Sequence, residues 1–159
     1  MQTSAVSTDA LTEELLTFLG VVLKCTQSGV LQVAVELELT LSQLRALFLL
    51  QQADHDPALT ELAPAVGLSV PATGRVVDAL ARLGLVARRE DEADRRIKRL
   101  SLTARGHETL ERLADARREG LRAFAEGLGD DERERLSAVL RPILDRSGVR
   151  AARPETPTP

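Results

Sequence analysis

The sequence predicts a mainly α-helical fold with a small β-hairpin wing: a winged helix-turn-helix carrying N- and C-terminal dimerisation helices. Three observations predict it. Two short helical segments between Leu59 and Gly84 meet at a turn containing Gly67, the arrangement of a helix-turn-helix. Two strand-like runs, Leu85–Arg89 and Ile97–Leu102, follow at once around the charged stretch 90–96. Leucine and valine recur in steps of three and four residues on both sides of this block, the period of an amphipathic helix.

Residues 1–8 are small and polar and should fray. From Asp9, the stripe Leu11, Leu15, Leu19, Val22, Leu23, Val30, Val33 and Leu37 marks a long helix, with Gly20 and Ser28-Gly29 as places for a bend or a break. The stripe suits a core helix and a dimer helix alike. Thr40 is placed to N-cap the next helix, with Gln43 completing a capping box and Leu39 and Leu44 a hydrophobic staple. The run Leu47-Phe48-Leu49-Leu50 makes that helix, 41–52, central and buried, and residues 53–57 break it.

Thr60 is expected to cap the first helix of the motif. Pro64 then falls near the fourth position, where its ring and missing donor are awkward, so this helix should be short or begin earlier. Ser69 should cap the second helix, whose apolar face is Val76, Val77, Leu80 and Leu83, and Gly84 should close it in the left-handed conformation. After the hairpin, Thr103 caps a long helix reaching about Gly127, with Leu110, Leu113, Leu121, Phe124 and Leu128 on its apolar side. Asp130-Asp131-Glu132 then opens a last helix with acids at the positive end of its dipole. Leu136, Val139, Leu140, Ile143 and Leu144 form its expected buried face, and Pro142 should kink it or mark its final turn. Residues 147–159 hold three prolines and little apolar content and should be disordered. The expected division is 1–38 for N-terminal dimerisation, 39–103 for DNA binding, 104–146 for C-terminal dimerisation and 147–159 as a tail.

Composition bounds the function. The chain has 159 residues, 43% of them hydrophobic, enough for one domain with appended helices and a sizeable core. No uninterrupted apolar run reaches the ~18 residues of a membrane span, and the start does not resemble a signal peptide, so the expected location is the cytoplasm and no membrane partner is expected. The single cysteine cannot form an internal disulfide. Three Phe and no Trp or Tyr argue against base-stacking platforms for single strands. The net charge of −3 hides a division: residues 75–105 carry nine Lys/Arg against five Asp/Glu, while the remainder is net acidic. A basic face on an acidic body is the footprint of a phosphate-binding module.

The residues facing DNA follow from that layout. Arg75 projects opposite Val76 and Val77, and arginine pairs bidentately with guanine or with phosphate. Ser69, Ala72 and Thr73 could join it. The start of this helix, Val70-Pro71-Ala72 with Gly74, is poor in hydrogen-bonding groups, which leaves room for methyl contacts and DNA shape. Arg95 and Arg96 lie at the hairpin turn as minor-groove candidates, with Asp94 orienting a neighbouring Arg. Arg88, Arg89, Lys98 and Arg99 are candidate phosphate contacts, although strand alternation keeps adjacent ones from reaching one face. His55, His107 and Cys25 have no metal-motif spacing, and no nucleophile–base set or phosphate-cradling loop is visible, so neither metal, cofactor nor enzyme is expected. Cys25 reads as a small buried hydrophobe.

Leu68-Ser69, Arg75-Val76-Val77-Asp78-Ala79-Leu80 and Gly84-Leu85-Val86 resemble the recognition-helix block of the MarR family of bacterial transcription regulators. Asp94-Arg95-Arg96 followed by Leu102-Thr103-Ala104-Arg105-Gly106 resembles that family's wing signature, an Asp-x-Arg ahead of Leu-Thr-x-x-Gly. The resemblance covers about 39–106 by motif. It implies a homodimer interlocked through its terminal helices, a pseudo-palindromic duplex site, Arg96 as the groove residue, and repression relieved by a small, often aromatic or phenolic, effector between the dimer helices and the DNA-binding lobe. The peroxide-sensing branch of the family has a reactive cysteine that would fall at Leu16, with Tyr partners this chain lacks. The rival readings are a winged-helix protein-interaction module without DNA affinity and a redox or metal sensor on the same fold.

Overall fold

The computed structural model describes residues 6–146, so the expectation for residues 147–159 lies outside the described residues. In chain order the elements are α1 (Thr8–Glu36), α2 (Leu41–Gln52), α3 (Leu59–Val66), α4 (Val70–Arg82), β1 (Val86–Glu90), β2 (Lys98–Leu102), α5 (Ala104–Glu126) and α6 (Asp130–Arg146).

The caps that begin these helices are local, and most are where the sequence puts them. Thr40 accepts from the Gln43 amide while the Gln43 side chain accepts from the Thr40 amide at 2.6 Å, a complete capping box. Thr103 Oγ1 accepts from the Gly106 amide at 3.0 Å and donates to the Gly84 carbonyl at 2.6 Å, tying the start of α5 to the end of α4. Ser7 caps α1 through the Ala10 amide, so the N-terminal helix starts at Thr8. Its end is less usual. Glu38 adopts φ 53° without being glycine, and the Leu39 amide reaches back to the Ala34 carbonyl at 2.8 Å. The chain thus turns out of α1 with a left-handed residue where glycine would be the cheaper choice.

Two expectations for α1 are corrected. The helix runs unbroken through Gly20 and Ser28-Gly29. Gly29 serves packing instead: a Cβ there would meet Ala116 at 3.3 Å, and one on Gly120 would lie 2.4 Å from the Cys25 carbonyl oxygen. Small residues on both helices let α1 and α5 cross backbone to backbone, with Thr26 buried and Cys25 half-buried beside the crossing. Secondly, α1 is by length and composition apolar enough to cross a membrane. Scanning for an uninterrupted apolar run misses this, because Thr, Gly, Ser and a single Lys24 punctuate the stripe without lowering its average much.

The core lies where α2, α3, α4, the hairpin and the first half of α5 meet. Leu47, Val77, Leu80, Leu100, Leu110 and Leu113 are its largest fully buried apolar side chains. Each such leucine contributes roughly 1.5–3 kcal/mol relative to leaving it exposed. The two strands pair antiparallel with Val86 opposite Leu102 and Glu90 opposite Lys98. Val86 and Leu100 face the core.

The expected buried face of α6 is not buried within one chain. No described residue of α6 is buried: Leu136 is half-covered, while Val139, Leu140, Ile143 and Leu144 are exposed. The amphipathic period is present, but among the described residues it is only partly covered, by α1 and α5. Pro142 sits inside α6 one turn from its end, where Arg146 Nε donates to the Pro142 carbonyl at 3.2 Å. Between α1, α5 and α6 runs an apolar groove of about 560 Å³, floored by Phe18, Leu121, Phe124 and Leu140 among others. Phe18 and Phe124 meet edge to face at 5.9 Å.

Candidate nucleic-acid interface

The helix-turn-helix begins two residues earlier than Thr60 suggests. Ala58 is the N-cap residue of α3, and Thr60 lies inside the helix. Alanine has no side-chain acceptor, so capping comes from the other direction: Glu61 Oε2 accepts from the Ala58 amide at 2.5 Å. The earlier start moves Pro64 deeper into an eight-residue helix, which ends at once with Gly67 at φ 80°. In that left-handed turn the Leu68 amide reaches the Ala63 carbonyl at 3.2 Å.

Ser69 caps α4, its Oγ accepting from the Ala72 amide at 3.4 Å, and Pro71 fits the first turn, where no donor is needed. Gly84 at φ 72° closes the helix, with the Gly84 amide bonded to Ala81 and the Leu85 amide to Leu80, a Schellman pair. One face of α4 is anchored by Thr73, Val77 and Leu80, all fully buried. Thr73 is therefore removed from the candidate DNA contacts. Its hydroxyl donates to the Ser69 carbonyl at 3.0 Å, which satisfies the one polar atom it brings into the core. Ser69 stays exposed and Ala72 half-covered at the start of the helix. Arg75 is exposed on the opposite face and makes no hydrogen bond or ion pair among the described residues.

Most other basic candidates are engaged by carboxylates. Arg88 pairs with Asp78 of α4 at 2.6 Å, Arg89 with Asp56 at 2.9 Å, and Lys98 with Glu90 across the strands at 2.8 Å. These three keep exposed guanidinium or ammonium faces, with half of the Arg89 and Lys98 side chains open to solvent. Arg99 differs and is corrected from phosphate contact to structural hub. It is only 24% exposed, donates to Asp91 at 2.6 Å and Glu61 at 3.1 Å, and forms an isolated bridge with Ala58 that extends the hairpin toward α3. Arg89 and Arg99 are directly opposed in the register, a like-charge pairing that these carboxylates offset.

At the wing tip, Asp94 holds Arg96 in a two-toothed pair, with Nε on Oδ1 at 3.0 Å and Nη2 on Oδ2 at 2.9 Å. The Arg96 side chain is nonetheless 91% exposed, so its outer edge remains free to bond. Its hydrogen bond lowers the Asp94 pKa and raises that of Arg96. Asp91 is held at about 2 by the Arg99 hydrogen bond first and the Asp94 and Ala93 amides next. Arg95 is exposed and has no partner among the described residues. A cleft of about 260 Å³ opens between the start of α3 and the hairpin, with Leu59 and Leu100 among its apolar lining and Arg88, Arg96 and Lys98 supplying charge.

The acids that organise these cations, Asp56, Glu61, Asp78 and Asp91, carry no pairing signal in the sequence. Only Glu90–Lys98 had a readable signal, since opposite charges in facing strand positions pair. Among the described residues no three His, Cys, Asp or Glu side chains gather to hold a metal ion.

The MarR family model matches residues 39–98, from just before α2 through the helix-turn-helix to the first residue of β2. Over these residues the chain is similar to the MarR family. The transcriptional repressor MprA of Escherichia coli (strain K12) is 33% identical over 95 residues, 60% of this chain and 54% of MprA. The chain thus spans about half the length of that curated relative. The crystal structure of RV1404 from Mycobacterium tuberculosis superposes with a TM-score of 0.72 at 28% identity, covering 93% of this chain and 99% of RV1404. MepR of S. aureus, crystallised as a DNA complex, shares the fold with a TM-score of 0.63 at 22% identity, over 84% of this chain and 98% of MepR. MepR has also been crystallised bound to ethidium bromide, in a structure with TM-score 0.58 and 21% identity that covers 89% of this chain and 96% of MepR.

Proposed function

We propose that this chain is a sequence-specific regulator of transcription, a repressor, that binds double-stranded DNA as a homodimer in the cytoplasm and is released by a small aromatic effector. The observation that carries the reading is Arg75: an exposed guanidinium, without a partner among the described residues, on a helix whose other face is locked into the core by Thr73, Val77 and Leu80. A rigid helix presenting a free Arg suits major-groove readout, and an exposed Arg95/Arg96 tip suits a narrow minor groove. The naming of MprA as a repressor and the DNA complex of MepR support the same reading. In this reading residues 39–103 bind DNA and residues 1–38 and 104–146 assemble the dimer.

The dimer is supported by apolar surface at both ends of the chain. Leu11, Leu15, Leu16, Leu19 and Leu23 on α1, and Val139, Leu140, Ile143 and Leu144 on α6, are exposed in the single chain. A two-fold assembly would cover them and suit a pseudo-palindromic site. The effector reading leans on the family and on the ethidium-bound MepR structure.

The test is a fluorescence anisotropy titration with random duplex at two salt concentrations, then sequencing of duplexes captured from a random pool. Salt-dependent binding with an enriched palindromic sequence is expected. No duplex binding at low salt would overturn the reading in favour of a protein-interaction module.

A further inference from the structure

A chain of hydrogen bonds leads from the helix-turn-helix to the wing tip, and Arg99 stands at its centre. Glu61, in the first turn of α3, uses Oε2 both for the Ala58 amide at 2.5 Å and for Arg99 Nη1 at 3.1 Å. Arg99 Nε donates to Asp91 Oδ2 at 2.6 Å. Asp91 Oδ1, the other oxygen of that carboxylate, accepts from the Ala93 amide at 2.9 Å and the Asp94 amide at 3.1 Å. Asp94 then holds the Arg96 amide at 3.0 Å as well as its guanidinium. Every link is continuous in space, and only the last member lies fully in solvent.

We infer that Arg99, acting through Asp91, is a positioning residue that sets where Arg96 is presented relative to α3 and α4. The inference rests on the DNA-binding reading above. A two-stranded hairpin has little stability of its own, so its angle must be fixed from outside. The planar guanidinium can hold two carboxylates from different elements at defined angles, which a flexible ammonium cannot. Arg99 joins α3 to the end of β1 in this way, and Asp91 converts that link into the shape of the turn carrying Asp94 and Arg96.

The inference makes a prediction opposite in sign to simple electrostatics. Removing the Asp91 charge makes the wing more positive, which by long-range attraction should strengthen duplex binding. Positioning requires it to weaken binding. Asp91→Asn keeps a carbonyl oxygen for the turn amides but loses the charge-assisted bond to Arg99. Duplex affinity should fall ~10-fold, the scale of one lost charge-assisted hydrogen bond. The log–log salt slope should flatten as far as in Arg96→Ala, about one unit per lost Arg contact. In an Arg96→Ala background Asp91→Asn should cost little more, because both changes remove the same contact. Arg99→Lys should move affinity and slope in the same direction. Asp91→Asn binding as tightly as the wild type, or adding its full loss on top of Arg96→Ala, would overturn the inference. Hydrogen exchange at the Ala93 and Asp94 amides gives a readout without DNA. It should quicken in both Asp91→Asn and Arg99→Lys while core amides stay protected. Unchanged exchange at those two amides also overturns the relay. Wild-type protein that ignores duplex at low salt would instead sink the DNA-binding reading, leaving the exchange result to judge the relay.

Discussion

A Cβ on Gly120 would lie 2.4 Å from the carbonyl oxygen of Cys25 and 2.9 Å from the Cα of Thr26. The opposing atoms are backbone, so relief requires α1 and α5 to move apart. Gly120→Ala would gain roughly 1 kcal/mol of helix propensity. Overpacking should outweigh it, with a net loss of about 1–2 kcal/mol. Urea denaturation at fixed protein concentration measures the difference, and a stabilised variant would show that the helices do not cross this closely.

Local signals made much of the fold legible. Thr40 with Gln43, Ser69, Gly84 and Thr103 each act within a few residues, and each appears in its expected role. Thr60 misled because Glu61 supplies the cap of α3 from three residues downstream of Ala58, so the N-cap position needed no polar side chain. Thr73 misled for a related reason. Its spacing from Val77 and Leu80 is that of a core face, but a hydroxyl read as polar surface until the Ser69 carbonyl supplied its partner. The pairing of Arg89 with Asp56 and of Arg99 with Glu61 spans 33 and 38 residues, and no period or motif in a single sequence encodes such pairs.

The wing should respond to acid in a defined window. Asp91 is lowered from 3.8 to about 2, chiefly by the hydrogen bond from Arg99. A carboxyl with a depressed folded-state pKa contributes stability above its unfolded pKa and loses it as pH falls through the folded value. The turn held by Asp91 should therefore stay intact above pH 3.8 and loosen between 3.8 and about 2. The amide shifts of Ala93 and Asp94 in a pH titration would follow it, and the step should vanish in Asp91→Asn. A midpoint near the ordinary Asp value of about 4 would mean that the Arg99 contact does not persist in solution.

Assembly can be tested with little disturbance of the monomer fold, because no described residue of α6 is buried. Ile143 is 46% exposed there, so Ile143→Glu should leave helix content unchanged. In a dimer that covers α6, the same change buries a carboxylate against apolar side chains and should break assembly. Sedimentation at micromolar concentration should give a dimer for the wild type and a monomer for the variant. A monomeric wild type would refute the assembly, and a variant that still dimerises would place the interface elsewhere.

Arg75 and Arg96 should divide the work of recognition. Arg75 projects from an anchored helix and has no partner among the described residues, so it is free to make a bidentate base contact. Such a contact discriminates by ~1–3 kcal/mol per base pair. Two-fold symmetry would repeat it in each half-site. Arg75→Ala should thus relax preference at one symmetric pair of operator positions. Arg96 is held by Asp94 with its outer edge in solvent, and a residue that reads groove width should contribute affinity more evenly. Arg96→Ala should weaken the cognate site and A·T-rich non-cognate sites to similar extents. Binding of both variants to a panel of single-base operator substitutions separates the two roles. A uniform loss across the panel for Arg75→Ala would make it a phosphate clamp. Base discrimination would then have to come from Ser69, Ala72 and the shape of the DNA, because Thr73, sealed beneath α4, cannot supply it.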